Sequence, residues 1–267
     1  MVGERNRILE FIEYLNSLGI DVNISKNKAR GNKGFFRVVN KAYRIDIAKK
    51  QSEDEIKSVL VHEFTHYIHY NYDKTLKSLD FIFENYPGNA TEDLIELTVD
   101  SISKKSITPL FELKDSLKAD IKDLTKQIKS EYPDFSPNYG PFEKYIKKME
   151  YKHLLKHDKV KVLNGFWFKL YSIDNFEKDF PNENQYIKYY LKLLSTKRAL
   201  KRINSRISRL NKYYNSPTEL LARSLEYYIC KPELMEKKTP NLYKYYSSLI
   251  DSRKIPMIST MNDYLKS

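Results

Sequence analysis

The stretch 58-SVLVHEFTHYIHYNY-72 holds three of the five histidines of this 267-residue chain within eight positions. It follows QSEDEIK, where Ser52 and Glu55 have the Ser-x-x-Glu spacing of a helix capping box. Apolar residues recur at the three-to-four spacing of an amphipathic helix, namely Ile56, Val59, Leu60, Phe64, Tyr67 and Ile68. The stretch therefore predicts a helix that begins near Ser52 and turns one apolar side toward a core.

Residues His62 to His66 match the pattern H-E-x-x-H. Side chains four residues apart lie one helical turn apart, so both imidazoles can reach one zinc ion at about 2.0–2.1 Å. Glu63 lies next to His62, where its carboxylate can take a proton from water. His69 is about 10 Å from His62 along the helix axis, so we expect it in a supporting or surface position. Two partly buried histidines without a metal are the alternative.

Composition indicates a globular protein, because 41% of the residues are hydrophobic and 13% are aromatic. The N-terminal sequence MVGERNRILEFIEYLNSLG has the pattern of an amphipathic helix, and the chain has no apolar run of about 18 residues. We therefore expect no signal peptide, no membrane span and a cytoplasmic location. A single cysteine, Cys230, excludes an internal disulfide and fits a reducing compartment.

The predicted fold class is α+β and mostly helical. IDVNIS and GFFRVVNKAYRIDIA read as strands, the second as a hairpin that turns at Asn40-Lys41. A helical insertion should follow the H-E-x-x-H helix, with a β-hairpin near 160–171 centred on Asn164-Gly165. Its aromatics Phe166, Trp167 and Phe168 are expected in a core. We expect residues 1–72 to hold the first helix, the sheet and the H-E-x-x-H helix, 73–204 the insertion, and 205–267 a C-terminal helical part.

A catalytic zinc site needs a third protein ligand and one open position. The metzincin pattern is excluded because His69 stands where that pattern has glycine. A glutamate is therefore expected as the third ligand, and two stretches of the sequence offer candidates for it. NATEDLIELTVDSI places two glutamates on a helix about 25 residues after His66, and NKYYNSPTELLARSLEYYI places two near the C-terminus. These candidates are Glu92, Glu96, Glu219 and Glu226.

The segment 216-SPTELLARSLEY-227 resembles the S-P-x-E-x-x-A-R-x-x-E-x-Y segment of phage- and plasmid-borne zincin-like domains. It is also similar to the glutamate helix of lethal-factor-type peptidases, in which the glutamate of an E-F-F-A-E run is the third zinc ligand. The resemblance covers about residues 35–70 and 205–230, and it departs from that run at Arg223, where an acid would stand. It implies Glu219 as the third ligand, in a gluzincin-type arrangement.

Glu219 also has a purely structural interpretation. Ser216 to Glu219 is a capping box with proline at the first helical position, and Glu219 and Arg223 have the spacing of an i,i+4 ion pair. In lethal-factor-like peptidases a tyrosine about seven residues before the ligand stabilises the oxyanion. The resemblance implies that role for Tyr213 or Tyr214, and packing aromatics are the alternative.

The function expected from these residues is that of a zinc-dependent metalloendopeptidase. His62, His66 and Glu219 would hold Zn²⁺, and Glu63 would act as general base and then return its proton to the leaving amine. The order of strand and then H-E-x-x-H helix is similar to that of zincin metallopeptidases, whose last strand before the helix binds the substrate backbone. A peptide or protein substrate would then lie along an edge strand at residues 43–47. An inactive zincin-fold protein is one alternative.

A nucleic-acid-associated helical protein of a mobile element is the other alternative, because the net charge is +12 and the pI is about 9.3. TKRALKRINSRISRLNK, residues 196–212, could contact phosphates with one face of a long helix. No recognisable nucleic-acid-binding module accompanies the charge, so a compositional bias of the source genome is the favoured explanation. If this helix packs as part of the insertion, we expect its cations to be partly paired with acids such as Asp115, Asp120 and Asp123, and nucleic-acid binding to be weak and unspecific.

Overall fold

The computed structural model describes residues 2–26, 33–136, 140–164 and 167–266. It is mostly helical, with 66% helix and 12% strand, which confirms the predicted α+β fold class. The chain divides into two compact units. Residues 1–104 and 211–267 form the first unit, and residues 105–210 form the second.

The elements follow one another along the chain in three parts. The N-terminal part contains α1 (Val2–Ser17), β1 (Ile20–Lys26), β2 (Gly34–Val39), β3 (Ala42–Ala48), α2 (Glu53–Tyr72), α3 (Asp80–Phe83) and α4 (Ala90–Ser106). The middle part contains α5 (Thr108–Glu131), α6 (Gly140–Ile146), a 3-10 helix (Lys152–Leu155), β4 (Lys159–Asn164), β5 (Trp167–Ser172), α7 (Phe176–Asp179) and α8 (Gln185–Tyr214). The C-terminal part contains α9 (Pro217–Cys230), α10 (Pro232–Lys238), α11 (Pro240–Asp251) and α12 (Pro256–Leu265).

Helix α2 forms where the sequence predicts it. The Ser52 side chain accepts a hydrogen bond from the Glu55 backbone, and the Glu55 side chain accepts one from the Ser52 backbone, so the capping box is complete. Its apolar side is buried, with Leu60, Phe64 and Ile68 fully inaccessible in the core of the first unit. This packing fixes the helix against the sheet and holds its polar side in one orientation.

The sheet of the first unit has the order β1-β3-β2, with β1 parallel and β2 antiparallel to β3. The β2–β3 hairpin turns at Asn40-Lys41 as predicted, and both residues have the positive φ of a tight primed turn. The expectation that residues 43–47 form an edge strand is wrong, because β3 pairs on both sides. The strand that lies at an edge beside α2 is β2.

Gly34 allows β2 to approach α2 closely. A Cβ atom at this position would overlap Cγ1 of Val59 and would lie 3.1 Å from Oε1 of Glu63. Any larger residue would therefore push the strand away from the helix surface that carries the H-E-x-x-H pattern.

The second unit has its own apolar core. Residues of α5, α6, β5 and α8 form a cluster that includes Ile128, Phe142, Tyr171 and Leu191. Strands β4 and β5 pair as the predicted hairpin, although its residues 165 and 166 lie outside the described part of the chain. The core position expected for Phe168 is wrong, because its side chain is 71% exposed on the outer face of this two-stranded sheet.

The bounds of the insertion differ from those expected for residues 73–204, because α3 and α4 up to residue 104 pack within the first unit. Among the described residues, no helix combines the length and the apolar character that a membrane crossing requires.

Candidate metal centre

Two helices of the first unit build the candidate metal centre. Helix α2 carries His62 and His66 on its polar side, with their rings nearly perpendicular and 4.9 Å apart between centroids. Helix α9 packs against α2 and brings Glu219, which lies in its first turn, opposite the two histidines. The packing of two helices thus joins residues that are more than 150 positions apart in the sequence.

The ligand atoms of His62, His66 and Glu219 lie close enough together to share one metal ion. Nε2 of His62 lies 3.6 Å from Oε2 of Glu219, and Nε2 of His66 lies 3.4 Å from Oε1 of the same carboxylate. One ligand atom from each residue falls within 4.8 Å of the others. Bonds of about 2.0–2.1 Å to a tetrahedral ion separate the ligand atoms by roughly 3.3–3.5 Å. The two-histidine, one-carboxylate set therefore fits zinc.

Each imidazole has a polar contact at its Nδ1 atom. Nδ1 of His62 lies 3.2 Å from Oε2 of Glu226, and the Ser58 hydroxyl donates to the other oxygen of that carboxylate. Nδ1 of His66 lies 2.8 Å from the Thr218 hydroxyl. These contacts favour the tautomer in which each Nδ1 carries the proton and each Nε2 is free to bind a metal.

From the sequence, Glu226 is only an alternative ligand, and nothing points to Ser58 or Thr218. The available signal was spacing, because Glu226 is seven residues after Glu219 and lies on the same side of α9.

Glu63 is buried beside the candidate ligands. Its Oε2 accepts a hydrogen bond of 2.7 Å from the backbone N–H of Phe36, in the edge strand β2. Burial raises the pKa of the Glu63 carboxyl, and the nearby His62 and His66 oppose this rise only in part. A carboxylate with a raised pKa is suited to accept a proton near neutral pH.

Arg223 is a buried cation next to the carboxylate of Glu219. Its Nη2 donates a hydrogen bond of 2.8 Å to Oε2 of Glu219, so the i,i+4 ion pair expected from the sequence forms. Its guanidinium carbon lies 4.7 Å from the ring centroid of Tyr214 and 5.5 Å from that of Tyr213. Arg223 thus donates to one oxygen of Glu219, and the other oxygen faces His66.

Tyr213 and Tyr214 have different neighbours in the candidate site. Tyr213 is half exposed, and the partial burial of its phenol raises its pKa, as does the negative charge of the nearby Glu219. Tyr213 therefore stays protonated and can donate a hydrogen bond near the candidate ligands. Tyr214 packs against Arg223 and has the contacts of a supporting aromatic residue.

The carboxylates and the imidazoles shift one another's pKa values. Burial disfavours a charged His62, but its hydrogen bond to Glu226 and three nearby carboxylates outweigh burial and raise its pKa. Burial likewise opposes ionisation of Glu219 and Glu226, but hydrogen bonds and the positive charges around them lower both pKa values. The site is therefore strongly acidic and attracts cations.

The other candidates lie elsewhere. Glu92 and Glu96 are exposed on α4, and neither belongs to the group of ligand atoms found among the described residues. Ser216 begins α9, but its hydroxyl donates to the Tyr213 carbonyl and caps no N–H, so the predicted capping box does not form. His69 is fully buried and not at the surface, and its Nε2 donates to the Ser78 carbonyl at 2.8 Å.

Comparisons with known proteins give no relative. No protein-family model matches the chain, no curated protein matches it, and no solved structure matches it.

Proposed function

We propose that this protein is a zinc-dependent peptidase. The observation that carries the proposal is the convergence of three ligand atoms, from His62, His66 and Glu219, within 4.8 Å of one another, in the two-histidine, one-carboxylate set that catalytic zinc uses. The residues around them support it, because Glu63 is buried beside the ligands and Tyr213 is a protonated donor.

A zinc ion bound there would supply a Lewis acid that polarises the scissile carbonyl and acidifies a water molecule. Glu63 would accept a proton from that water and deliver it to the leaving amine. Its hydrogen bond to the Phe36 backbone fixes the carboxylate, so it meets the water in one orientation. The Tyr213 hydroxyl would donate to the oxyanion, a contact worth several kcal/mol in other acyl-transfer sites.

The substrate is proposed to lie along the outer edge of β2. This strand pairs only with β3 among the described residues, and its Phe36 N–H reaches Glu63. An extended peptide that adds to this edge would pass directly beside the proposed base. Val38 and Val39 are exposed further along the strand and offer apolar contacts to the substrate side chains.

Metal analysis tests the proposal. The purified protein, offered zinc and then dialysed, should retain about one ion per chain. His62→Ala and Glu219→Ala should each lose it, while Glu92→Ala, which changes an exposed glutamate outside the ligand group, should keep it. A wild-type protein without metal, or equal metal loss in Glu92→Ala, would contradict the ligand assignment.

Activity is tested separately with a library of quenched fluorescent peptides. Cleavage by the zinc-loaded protein, abolished in Glu63→Gln, is the expected result. A protein that holds zinc and cleaves no peptide or protein would be a zincin-like fold without peptidase activity, and the proposal would be wrong.

A further inference from the structure

The positive charge of this protein is concentrated in its second unit. Residues 105–210 contain 23 lysines and arginines against 13 acidic residues, a net charge of +10. The remaining 161 residues contain 24 against 22, a net charge of +2. A bias toward lysine in the source genome would act on both units alike. The difference between them therefore points to a role for the second unit.

Helix α8 carries much of this charge. Over its 30 residues it has nine cations and no aspartate or glutamate. The cations are Lys188, Lys192, Lys197, Arg198, Lys201, Arg202, Arg206, Arg209 and Lys212. At 1.5 Å per residue, the segment from Lys197 to Arg209 is about 18 Å long, and B-DNA presents roughly ten phosphate charges over that length.

The cations of α8 are partly paired with acids as expected, but among the described residues the partners are not Asp115, Asp120 or Asp123. Arg198 and Arg202 instead share Asp158, at 2.6 and 3.1 Å, which turns both toward the 3-10 helix side of the unit. Asp115 pairs within α5, with Lys118. Within the described ranges no carboxylate lies within 4 Å of the four further cations between 197 and 209, which are Lys197, Lys201, Arg206 and Arg209.

The side chains between these cations are hydrogen-bonding groups. A shallow groove along the helix is lined by five polar or charged residues and one leucine, namely Lys197, Lys201, Asn204, Ser205, Ser208 and Leu200. Amides and hydroxyls of this kind contact phosphate oxygens in protein–DNA interfaces. From residue 185 to 212 no large apolar side chain is exposed, so this face offers nothing to insert among lipid chains. The chemistry of the face therefore favours a nucleic acid over a membrane.

We propose that the exposed face of α8 between Lys197 and Arg209 binds the phosphate backbone of a nucleic acid without sequence preference. Four cations with no carboxylate within 4 Å among the described residues contact phosphates, and the neighbouring amide and hydroxyls add hydrogen bonds. This binding does not depend on the metal centre, which lies in the first unit.

Fluorescence anisotropy with a labelled 20-base-pair duplex tests the proposal on the full chain. Four phosphate contacts predict a slope of log K against log salt of about −3.6, which is an affinity loss of roughly 150-fold between 50 and 200 mM salt. A variant with Lys197, Lys201, Arg206 and Arg209 all replaced by glutamine should bind at least tenfold more weakly at 50 mM and lose most of that slope. The same measurement in His62→Ala should match the wild type.

A matched control removes the same charge from the first unit. Lys237, Lys238, Lys244 and Lys254 are exposed there, and replacing all four by glutamine should leave the slope unchanged. Equal losses in both variants would mean that net charge alone drives binding, and the proposal would fail. It would also fail if the duplex does not bind at 50 mM salt, or if vesicles with anionic lipid bind while the duplex does not.

Discussion

Replacing Glu226 by alanine should weaken zinc binding by about 10–100-fold while leaving the three proposed ligands in place. Its carboxylate, three-quarters buried, joins the Ser58 hydroxyl to Nδ1 of His62. A hydrogen bond to a charged group contributes about 1.5–3 kcal/mol net. At 1.4 kcal/mol per factor of ten, this corresponds to about one to two orders of magnitude, which agrees with losses measured for outer partners of metal-bound histidines.

A series of substitutions at Glu226 separates its effect on the orientation of His62 from the effect of its charge. Glu226→Gln keeps an acceptor for Nδ1 of His62 and can still meet the Ser58 hydroxyl, so it should lose less affinity than Glu226→Ala. Glu233→Ala, an exposed glutamate on the neighbouring α10, is the matched control and should bind zinc like the wild type. Zinc affinity would be measured by competition with a chromophoric chelator at constant pH.

The stability of the metal-free variants must be measured beside their affinity. If Glu226 acts only in packing, urea unfolding of metal-free Glu226→Ala would show lower stability, with zinc affinity equal to that of Glu233→Ala. That result would refute the role of Glu226 in positioning His62. A loss of affinity with the order wild type, glutamine, alanine would support it.

Three further predictions concern the base, the strand and the buried histidine. Glu63→Gln should retain zinc and the free energy of unfolding yet reduce peptide cleavage to background, because an amide cannot accept the proton; comparable turnover would exclude Glu63 as the base. Gly34→Ala should lower the free energy of unfolding by about 1–3 kcal/mol in urea, because its Cβ overlaps Val59, whereas Gly140→Ala, which meets no atom within 4 Å, should not. Burial lowers the pKa of His69. The unfolded chain therefore takes up a proton there more readily, and stability is lost as the pH falls below about 6.5, by at most about 1.4 kcal/mol per pH unit. Urea unfolding at pH 7 and pH 5.5 should show a weaker dependence on pH in His69→Gln, and an unchanged dependence would contradict this.

The local elements of this fold could be predicted because their signals are local. The capping box of Ser52 and Glu55 and the period of apolar residues define α2, and the alternation around Asn40-Lys41 defines the hairpin of β2 and β3. Strand order could not be predicted in the same way. The alternating residues of β3 indicate one buried face, but they contain no information on whether its two edges are paired.

The same difference between local and long-range signals applies to the residues of the candidate site. His62, Glu63 and His66 are recognisable from sequence because one helix sets their spacing. Glu219 could be favoured only through a resemblance, since its position depends on how α9 packs on α2. The contacts of Ser58 and Thr218 with the outer parts of the site depend on that packing too. The acids that pair with the cations of α8 could not be predicted, because helical periodicity gives the direction of a side chain but not the residue that it contacts.

Charge balance connects the separate features of the metal centre. Glu63, Glu219 and Glu226 bring three negative charges together, and Arg223 supplies one positive charge. With neutral imidazoles the group has a net charge of −2, which one divalent cation would neutralise. The same negative charge favours protons in the site, and the pKa of His62 is raised by its hydrogen bond to Glu226 and by the nearby carboxylates. A zinc ion would have to displace the proton of a protonated His62 in order to bind, so we expect metal uptake to release protons and zinc affinity to increase as the pH rises.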